Sequence, residues 1–352
     1  MKKNVCVILA SYNGSKWIIN QIESILNQQK INLDLFINDD CSQDGTYKIL
    51  KKFSKKKKNI FVYKNKKNTG CAAQNFFQLI FKINFKKYDF ISLSDQDDMW
   101  NKNKLNRAIM MMNKLNLDCY SSDVTVLLEN GKTKYLKKSY KQEKFDFLFE
   151  GGGPGSTFVM KKKFINNLKK NMKKNMKITK KILFHDWYIY FYARINKYKW
   201  MIDDFSGLKY RQHGYNELGA NINLKKKISR LKIILNNNIL NQLKQFFLLN
   251  KVFPQKKIKV KHNESGIQKN CFVGFSLTYL FFGFFVPIFR GEISIGFFHL
   301  ILTLCTFGIF QLIMAFLYNE QYSTRLLNNS WSLNDSLENN ALARQKLGIA
   351  TY

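Results

Sequence analysis

The chain has 352 residues, enough for about two domains, and 45% of them are apolar, which excludes a wholly disordered polyelectrolyte despite a formal charge of +34. Only seven of the 58 basic residues are Arg. Proteins that read nucleic acids rely on Arg for bidentate contacts, so this composition disfavours a nucleic-acid-binding protein, and no nucleic acid partner is expected. The six cysteines are scattered without a C-x-x-C pair, which indicates free thiols in a reducing compartment.

In chain order, the first hundred residues alternate short apolar strands with amphipathic helices. The apolar run 5–10 predicts a buried first strand and is too short for a signal peptide. Further strands are predicted at 33–38, 60–63 and 90–93, and helices at 18–26, 46–53 and 72–83. Strands separated by helices indicate an α/β fold with a mostly parallel, Rossmann-like sheet and flanking helices. Ligands of such sheets bind beyond the carboxyl ends of the strands.

Polar clusters follow the first two predicted strands. Ser11 and Tyr12 come after the first strand, and Asp39 and Asp40 come after the second. Adjacent carboxylates at a strand end can accept hydrogen bonds from a nucleobase imide or from ribose hydroxyls. Taken alone, the second cluster is more typical of a turn that caps the next helix.

A third cluster places three carboxylates in four positions after the strand 90–93. Asp95, Asp97 and Asp98 would repel one another unless a cation offsets their charge. Oxygen-only ligands suit Mg²⁺ or Mn²⁺ bridging a diphosphate. The alternative is an acidic helix N-terminus that interacts favourably with the helix dipole.

The order and spacing of these clusters carry a family resemblance. Residues 4–219 resemble the family 2 glycosyltransferases, and more closely their rhamnosyltransferase-like branch. The matching segments are Ile-Leu-Ala-Ser-Tyr-Asn-Gly, Asn-Asp-Asp-x-Ser-x-Asp-Gly-Thr, Asn68-x-Gly70, Ser-Asp-Gln-Asp-Asp-Met-Trp, Gly155-Ser-Thr-Phe-Val-Met-Lys, His185-Asp186-Trp187 and Tyr210-Arg-Gln-His-Gly-x-Asn216.

The resemblance implies a GT-A type fold that binds a nucleoside diphosphate sugar, linked to dTDP or UDP, with Mg²⁺ or Mn²⁺. It implies that Ser11, Tyr12 and Asp40 bind the nucleobase, with Asp39 beside them. Asp95 and Asp97 would bind the ribose and the metal-bound diphosphate, and Asp98 would face the sugar. Asp186 would be the catalytic base, and His213 would reach the metal or the diphosphate. Arg211 would add positive charge at the diphosphate.

The implied activity is inverting transfer of a sugar to a lipid-linked or cell-surface glycan acceptor. The branch points to rhamnose on dTDP, with UDP-hexoses as the alternative donors. A membrane-associated scaffold with a non-catalytic nucleotide-sugar-binding domain is the alternative function. Cys41 stands where the family usually has Gly, and the glycine-rich segment 151–155 departs from the family pattern on the acceptor side.

Two histidines and two tryptophans each fit two alternative roles. His185 and His213 are either functional or core and helix-end histidines. Trp100 and Trp187 either stack on sugars or pack in the core.

The composition changes after the predicted transferase domain, 1–222. A connector, 223–270, contains a basic amphipathic helix over 225–251. Such a helix suits a membrane surface, and packing on the catalytic domain is the equal alternative.

The C-terminal module, 271–352, contains two stretches without charge, 272–289 and 293–318. Both reach the length of a bilayer span, which predicts an α-helical membrane hairpin with lipids as partners. The module also resembles small bacterial membrane proteins with an aromatic-rich helical hairpin. The Lys-rich flank before the first stretch predicts an inner-membrane protein with a cytoplasmic catalytic domain.

Overall fold

The computed structural model describes residues 2–143, 146–148, 150–212, 238–250, 256–306 and 308–349. The chain divides into two compact units, Met1–Asn250 and Lys251–Tyr352. Each unit has its own sheet and its own buried core.

The first unit is built on a seven-stranded sheet with the strand order β10-β6-β9-β4-β1-β2-β3. Its strands are β1 (Lys3–Ser11), β2 (Ile31–Asp39), β3 (Ile60–Lys64), β4 (Phe90–Ser94), β6 (Cys119–Ser122), β9 (Val159–Lys161) and β10 (Trp200–Asp203). The strands β4, β1, β2 and β3 are parallel, whereas β9 runs antiparallel to both of its neighbours. The prediction of a mostly parallel α/β sheet is confirmed.

Helices cover this sheet because each presents one apolar face. They are α1 (Ile18–Leu26), α2 (Thr46–Lys56), α3 (Ala72–Lys82), α4 (Lys104–Lys114), α5 (Lys162–Lys174), α6 (Met176–Thr179), α7 (His185–Ile195) and α8 (Asn238–Asn250). On α1, Ile18, Ile22 and Ile25 recur at helical spacing and are fully buried against the central strands. The helices and strands predicted before residue 100 all coincide with observed elements.

A second, smaller sheet in the same unit has the order β5-β11-β7-β8. Its strands are β5 (Met99–Trp100), β7 (Val124–Leu127), β8 (Thr133–Leu136) and β11 (Leu208–Arg211). β11 pairs with the two-residue strand β5, which directly follows the acidic cluster. Strands this short carry no readable alternation, so the sequence did not predict this sheet.

Helix α8 packs on α7 within the first unit. Phe246 is fully buried and its ring lies 5.2 Å from that of Trp187 and 5.3 Å from that of Tyr188. The Gln242 side chain accepts a hydrogen bond from the Leu183 N–H at 2.8 Å. This end of the predicted basic helix therefore packs on the catalytic domain, and residues 225–237 lie outside the described residues.

The second unit combines a three-stranded antiparallel sheet with five helices among its described residues. The strands are β12 (Lys256–His262), β13 (Gln268–Val273) and β14 (Trp331–Leu333), with β12 central. The helices are α9 (Leu277–Phe282), α10 (Phe285–Phe289), α11 (Ile293–Cys305), α12 (Ile309–Asn328) and α13 (Leu337–Leu347).

The two predicted membrane spans are not continuous helices, which corrects the sequence-based expectation. The stretch 272–289 begins at the end of β13 and is then divided at Gly283, whose φ is +53°. The stretch 293–318 is divided at Gly308, whose φ is +85°. Both angles lie in a region that glycine adopts readily and that ends an α-helix. Among the described residues, every helix is too short or too polar to cross a bilayer.

Candidate active site

The polar clusters meet at one edge of the main sheet. Ser11 pairs with Asp39 at the carboxyl ends of β1 and β2, and Leu9 pairs with Ser94 between β1 and β4. Because these strands are parallel and adjacent, the residues that follow them emerge side by side. The predicted nucleobase and diphosphate residues therefore share one edge.

Gln96 joins the first and third clusters. Its amide accepts a hydrogen bond from the Tyr12 N–H at 2.9 Å and donates one to the Tyr12 carbonyl at 2.8 Å. A third contact, from the Ser11 hydroxyl, measures 3.3 Å. The Tyr12 ring remains 48% exposed at the rim. Gln96 lies between Asp95 and Asp97, and no pattern in the sequence assigned it a role.

Asp39 and Asp40 have different environments. Both Asp40 carboxylate oxygens accept hydrogen bonds, from the Asn65 amide at 2.7 Å and from the Thr69 N–H and hydroxyl at 3.0 and 2.7 Å. Asp39 is fully buried; its Oδ2 accepts from the Ser42 N–H, and its Oδ1 has no partner among the described residues. Asp39 therefore keeps an acceptor for a ligand.

Cys41 adopts a φ of +65°, in the left-handed region that favours glycine. Its thiol donates to the Asn65 carbonyl at 3.2 Å. The conformation explains why the resembling family has Gly at this position.

Asp98 is buried at the bottom of the acidic cluster. Its Oδ1 accepts a 3.1 Å hydrogen bond from the Arg211 N–H, and its Oδ2 has no partner among the described residues. Burial, and secondly the adjacent charge of Asp97, raise the pKa of Asp98 to about 8. The hydrogen bond from the Arg211 N–H and the attraction of Lys104 oppose this rise.

Lys104 is a buried lysine of the site, and no pattern in the sequence singled it out. It is 3% exposed, and its Nζ lies 3.4 Å from the centre of the Trp100 ring. Burial lowers the pKa of Lys104 to about 7, against the attraction of Asp98. Lys104 and Asp98 thus form an electrostatically linked buried pair.

Tyr210 lies among four of the predicted site carboxylates. Burial is the largest cause of its raised pKa, and nearby negative charge is the second. The carboxylates responsible are, in decreasing order, Asp95, Asp98, Asp97 and Asp186. The structure therefore brings the predicted catalytic base into the electrostatic neighbourhood of the acidic cluster, and β11 supplies the residue between them.

Arg211 follows Tyr210 and secures the acidic turn. Its Nε donates a 2.9 Å hydrogen bond to the Asp97 carbonyl, in addition to the backbone contact with Asp98. The guanidinium is half-buried beside Asp97. Arg211 thus contacts the acidic turn, and its role at a diphosphate stays a prediction.

Asp186 lies in the first turn of α7, where the helix dipole favours a carboxylate. Its Oδ1 accepts a 2.7 Å hydrogen bond from the Trp187 N–H, and the residue is half-buried. A Cβ atom at Gly155 would lie 3.3 Å from the Asp186 Cβ and 2.7 Å from the His185 Nε2. Only a glycine leaves room for both side chains.

His185 is buried beneath Asp186, with its ring 4.3 Å from that of Phe76. Burial lowers the pKa of His185, against the opposing charge of Asp186. Its Nε2 has no partner among the described residues. His185 is therefore neutral at physiological pH and lies beside the predicted base.

Three further residues have structural roles. Trp187 is buried and donates from its indole to the Phe147 carbonyl at 2.8 Å. Trp100 is also buried, in the main core cluster. Asp203 accepts hydrogen bonds from Arg107 at 3.0 Å and from the Tyr120 hydroxyl at 2.8 Å.

The predicted metal ligands are only partly described. His213 lies outside the described residues. Within the described part of the chain, no three His, Cys, Asp or Glu side chains converge into a ready ligand set. The half-exposed Asp95 and Asp97 lie in the same turn as Asp98, whose Oδ2 has no partner among the described residues, and carboxylate oxygens are the ligands that a hard cation prefers.

Comparison with known proteins identifies the family. Residues 6–194 match the model of glycosyl transferase family 2. The chain is 38% identical over 229 residues to the dTDP-rhamnosyl transferase RfbG of Shigella flexneri, covering 65% of this chain and 79% of that protein.

Two other proteins match over a smaller share of their length or at lower sequence identity. The UDP-Glc:alpha-D-GlcNAc-diphosphoundecaprenol beta-1,3-glucosyltransferase WfgD of Escherichia coli is 30% identical, over 36% of this chain and 47% of that protein. The structure of S. aureus TarS 1-349 in complex with UDP-GlcNAc aligns at 18% identity with a TM-score of 0.47, over 70% of this chain and 73% of that chain. Because the family model covers more than half of the sequence, the chain belongs to glycosyl transferase family 2.

Proposed function

We propose that the chain transfers a sugar from a nucleoside diphosphate sugar to an acceptor hydroxyl, with inversion at the anomeric carbon. The observation that carries this proposal is that the acidic turn follows β4 at the sheet edge where Ser11 and Asp39 pair, with Asp186 and the acidic turn both near Tyr210. One part of that group suits a diphosphate, and the other suits an acceptor hydroxyl.

The nucleobase site in this proposal is the edge formed by β1 and β2. Asp39 supplies an unpartnered Oδ1, and the imide N–H of uracil or thymine is a matching donor. Asp40 already accepts hydrogen bonds on both oxygens, so its role is to hold the loop at Thr69 in place. The exposed Tyr12 ring offers a stacking surface for the base, and Ser11 fixes that rim through Gln96.

Asp95 and Asp97 would hold Mg²⁺ or Mn²⁺, with His213 as a further candidate ligand. When bound, the metal neutralises negative charge on the departing diphosphate. Arg211 adds a positive charge from β11 and keeps the acidic turn in its conformation through the Asp97 carbonyl. Because its pKa is raised to about 8, Asp98 stays protonated near neutral pH, which limits the repulsion between Asp98 and Asp97.

Asp186 acts as the general base. It accepts the proton of the acceptor hydroxyl while the acceptor oxygen bonds to the anomeric carbon and the bond from that carbon to the diphosphate oxygen breaks. The Trp187 N–H fixes Asp186 Oδ1, which leaves Oδ2 for the proton. His185 stays neutral because it is buried, so the pair does not become a cation–carboxylate pair that would weaken the base.

The relatives guide the choice of substrates. The name of the Shigella relative favours dTDP-rhamnose as the donor, and that of the Escherichia relative favours a UDP-hexose and a diphosphoundecaprenol-linked acceptor. We propose a lipid-linked or cell-surface glycan acceptor, and the name of the Escherichia relative supports the lipid-linked form. Because nucleotide sugars are made in the cytoplasm, we place the catalytic unit on the cytoplasmic side of the inner membrane.

A donor panel tests this proposal. The full chain is incubated with dTDP-rhamnose, UDP-glucose and UDP-N-acetylglucosamine, with Mn²⁺ and extracted lipid-linked glycans, and nucleoside diphosphate release is measured. We expect release from one donor, increased by acceptor. Tight binding of a nucleotide sugar without release under any condition would favour the non-catalytic scaffold instead.

A further inference from the structure

Two stretches of the second unit expose many large apolar side chains. We define the apolar lobe as residues 276–289 and 293–318, which carry no charged side chain. Its exposed large side chains are Phe281, Phe282, Phe285, Phe289, Ile293, Phe297, Phe298, Ile301, Leu304 and Ile313. Phe297 and Leu304, for example, are 63% and 66% exposed. So many exposed large apolar side chains in a stretch without charge indicate an interaction surface.

Several polar groups of the apolar lobe have hydrogen-bond partners inside it, whereas the buried Thr303 hydroxyl has none among the described residues. The buried His299 and Tyr279 hydrogen-bond to each other at 2.7 Å. Gln311 donates to the Leu280 carbonyl at 2.7 Å, and the Thr306 hydroxyl donates to the Leu302 carbonyl at 2.6 Å. Satisfying polar groups internally is what a hydrocarbon environment requires, because lipid tails offer no hydrogen-bond partners.

The charged residues near the lobe are confined to one end, its base. Glu292 accepts hydrogen bonds from Arg325 at 2.7 and 2.8 Å. The Arg290 guanidinium lies 4.4 Å from the centre of the Phe272 ring, at the end of β13. From Glu292, α11 extends for 13 residues, or about 20 Å, before the chain turns back into α12. This length exceeds half of a hydrocarbon core of about 30 Å and is less than the whole.

The sheet at the base of the lobe is basic. Lys257 pairs with Phe272 and is exposed, and Lys256 pairs with Val273 beside it. Further exposed lysines on the two strands are Lys259, Lys261 and Lys269. Positive charge at the boundary of an apolar surface complements anionic lipid headgroups.

We propose that the apolar lobe inserts into a single leaflet of an anionic bilayer, with Arg290, Glu292 and Arg325 at the headgroup level. The lobe enters and leaves on the same side, so the chain is held at the membrane without crossing it. A second copy of the chain would cover the apolar side chains too, but it would explain neither the confinement of charge to the base nor the basic sheet there. This inference does not depend on the proposed glycosyl transfer.

Vesicle flotation tests the proposal with the full chain. Vesicles of phosphatidylglycerol and phosphatidylethanolamine should carry the native chain upward in a density gradient. The double variant Phe297→Asp, Leu304→Asp should bind at least about tenfold less. Leu337→Asp is the matched control, since Leu337 is 90% exposed in the same unit but lies on α13, outside the lobe, and it should float like the native chain.

Native chain that stays at the bottom of the gradient would overturn the proposal, as would a double variant that floats equally well. A chain that forms a dimer in the absence of lipid and does not float with vesicles would also overturn it, because a second copy would then cover the lobe. An unchanged thermal transition in the double variant shows that both units remain folded, which is expected for substitutions at exposed positions.

A labelling experiment on the native chain tests the single-leaflet claim without a variant. Cys305 is exposed at the far end of α11. Bound to vesicles, it should react at least about tenfold more slowly with an external membrane-impermeant maleimide, whereas Cys41 in the first unit should react at an unchanged rate. The same reagent enclosed in the vesicle lumen should leave Cys305 unmodified. Modification from the lumen would show that the chain crosses the bilayer, and unchanged external reactivity would show that the lobe does not insert.

Discussion

The backbone N–H of Arg211 donates a 3.1 Å hydrogen bond to Asp98 Oδ1, although 113 positions separate the two residues in the chain. This contact joins β11 of the small sheet to the acidic turn that follows β4. It places Arg211 and Tyr210 beside the proposed diphosphate site, and it fixes one Asp98 oxygen while leaving the other for a ligand. The small sheet therefore completes the site rather than merely extending the fold.

The first prediction concerns the pH dependence of stability at Asp98, measured in EDTA. A raised pKa of about 8 means that the unfolded chain releases this proton above about pH 4 while the folded chain keeps it. The folded state therefore loses stability as pH rises from about 4 to 8. Asp98→Asn cannot ionise and retains an oxygen for the Arg211 N–H. The difference in Tm between the variant and the native chain should therefore favour the variant more at pH 8 than at pH 5. An equal difference at both pH values would contradict this account.

The second prediction concerns the space at Gly155. Gly155→Ala places a Cβ 2.7 Å from His185 Nε2, so the histidine and the adjacent Asp186 must move. We expect kcat to fall by about tenfold to a hundredfold, with donor Kd nearly unchanged. Gly151→Ala is the matched control, because its Cβ would meet the Trp187 backbone at an ordinary 3.4 Å. Equal kcat values for the two variants would show that the position of Asp186 does not limit turnover.

The third prediction concerns the metal. Asp97→Asn keeps the carbonyl that binds Arg211 Nε, so the turn should survive. Calorimetric titration with dTDP or UDP should show that Mn²⁺ tightens binding to the native chain and not to the variant. In EDTA the two proteins should bind alike. The exposed Asp204→Asn serves as a control and should behave as native. A native affinity that EDTA does not change would refute metal-assisted binding.

Much of the catalytic unit could be predicted from the sequence because its strands are apolar and its clusters follow strand ends. Once strands are parallel and adjacent, Ser11 and Asp39 must lie at the same edge, and they pair directly. Gln96 and Lys104 could not be assigned in this way. A side-chain amide that reaches back to Tyr12 and a lysine buried over Trp100 depend on tertiary contacts, which composition and spacing do not encode.

The membrane spans were wrong because hydropathy counts apolar residues without reporting where a helix breaks. Gly283 and Gly308 lie inside the two apolar stretches, and both adopt positive φ angles. The two spans were predicted from the length and the lack of charge of the stretches, without regard to these glycines. The same stretches still produce an apolar surface, but on four short helical segments instead of two long ones.

The most direct test of the central claim is a comparison of Asp186→Asn with Asp204→Asn on the donor that the panel identifies. The Asn retains an oxygen for the Trp187 N–H, so the start of α7 and the donor site should stay intact. Donor Kd and the rate of sugar transfer are measured on the same preparations. We predict an unchanged Kd for Asp186→Asn and a transfer rate lowered by about 10²- to 10⁴-fold, with native values for Asp204→Asn. A transfer rate for Asp186→Asn equal to that of the native chain would contradict the assignment of Asp186 as the base.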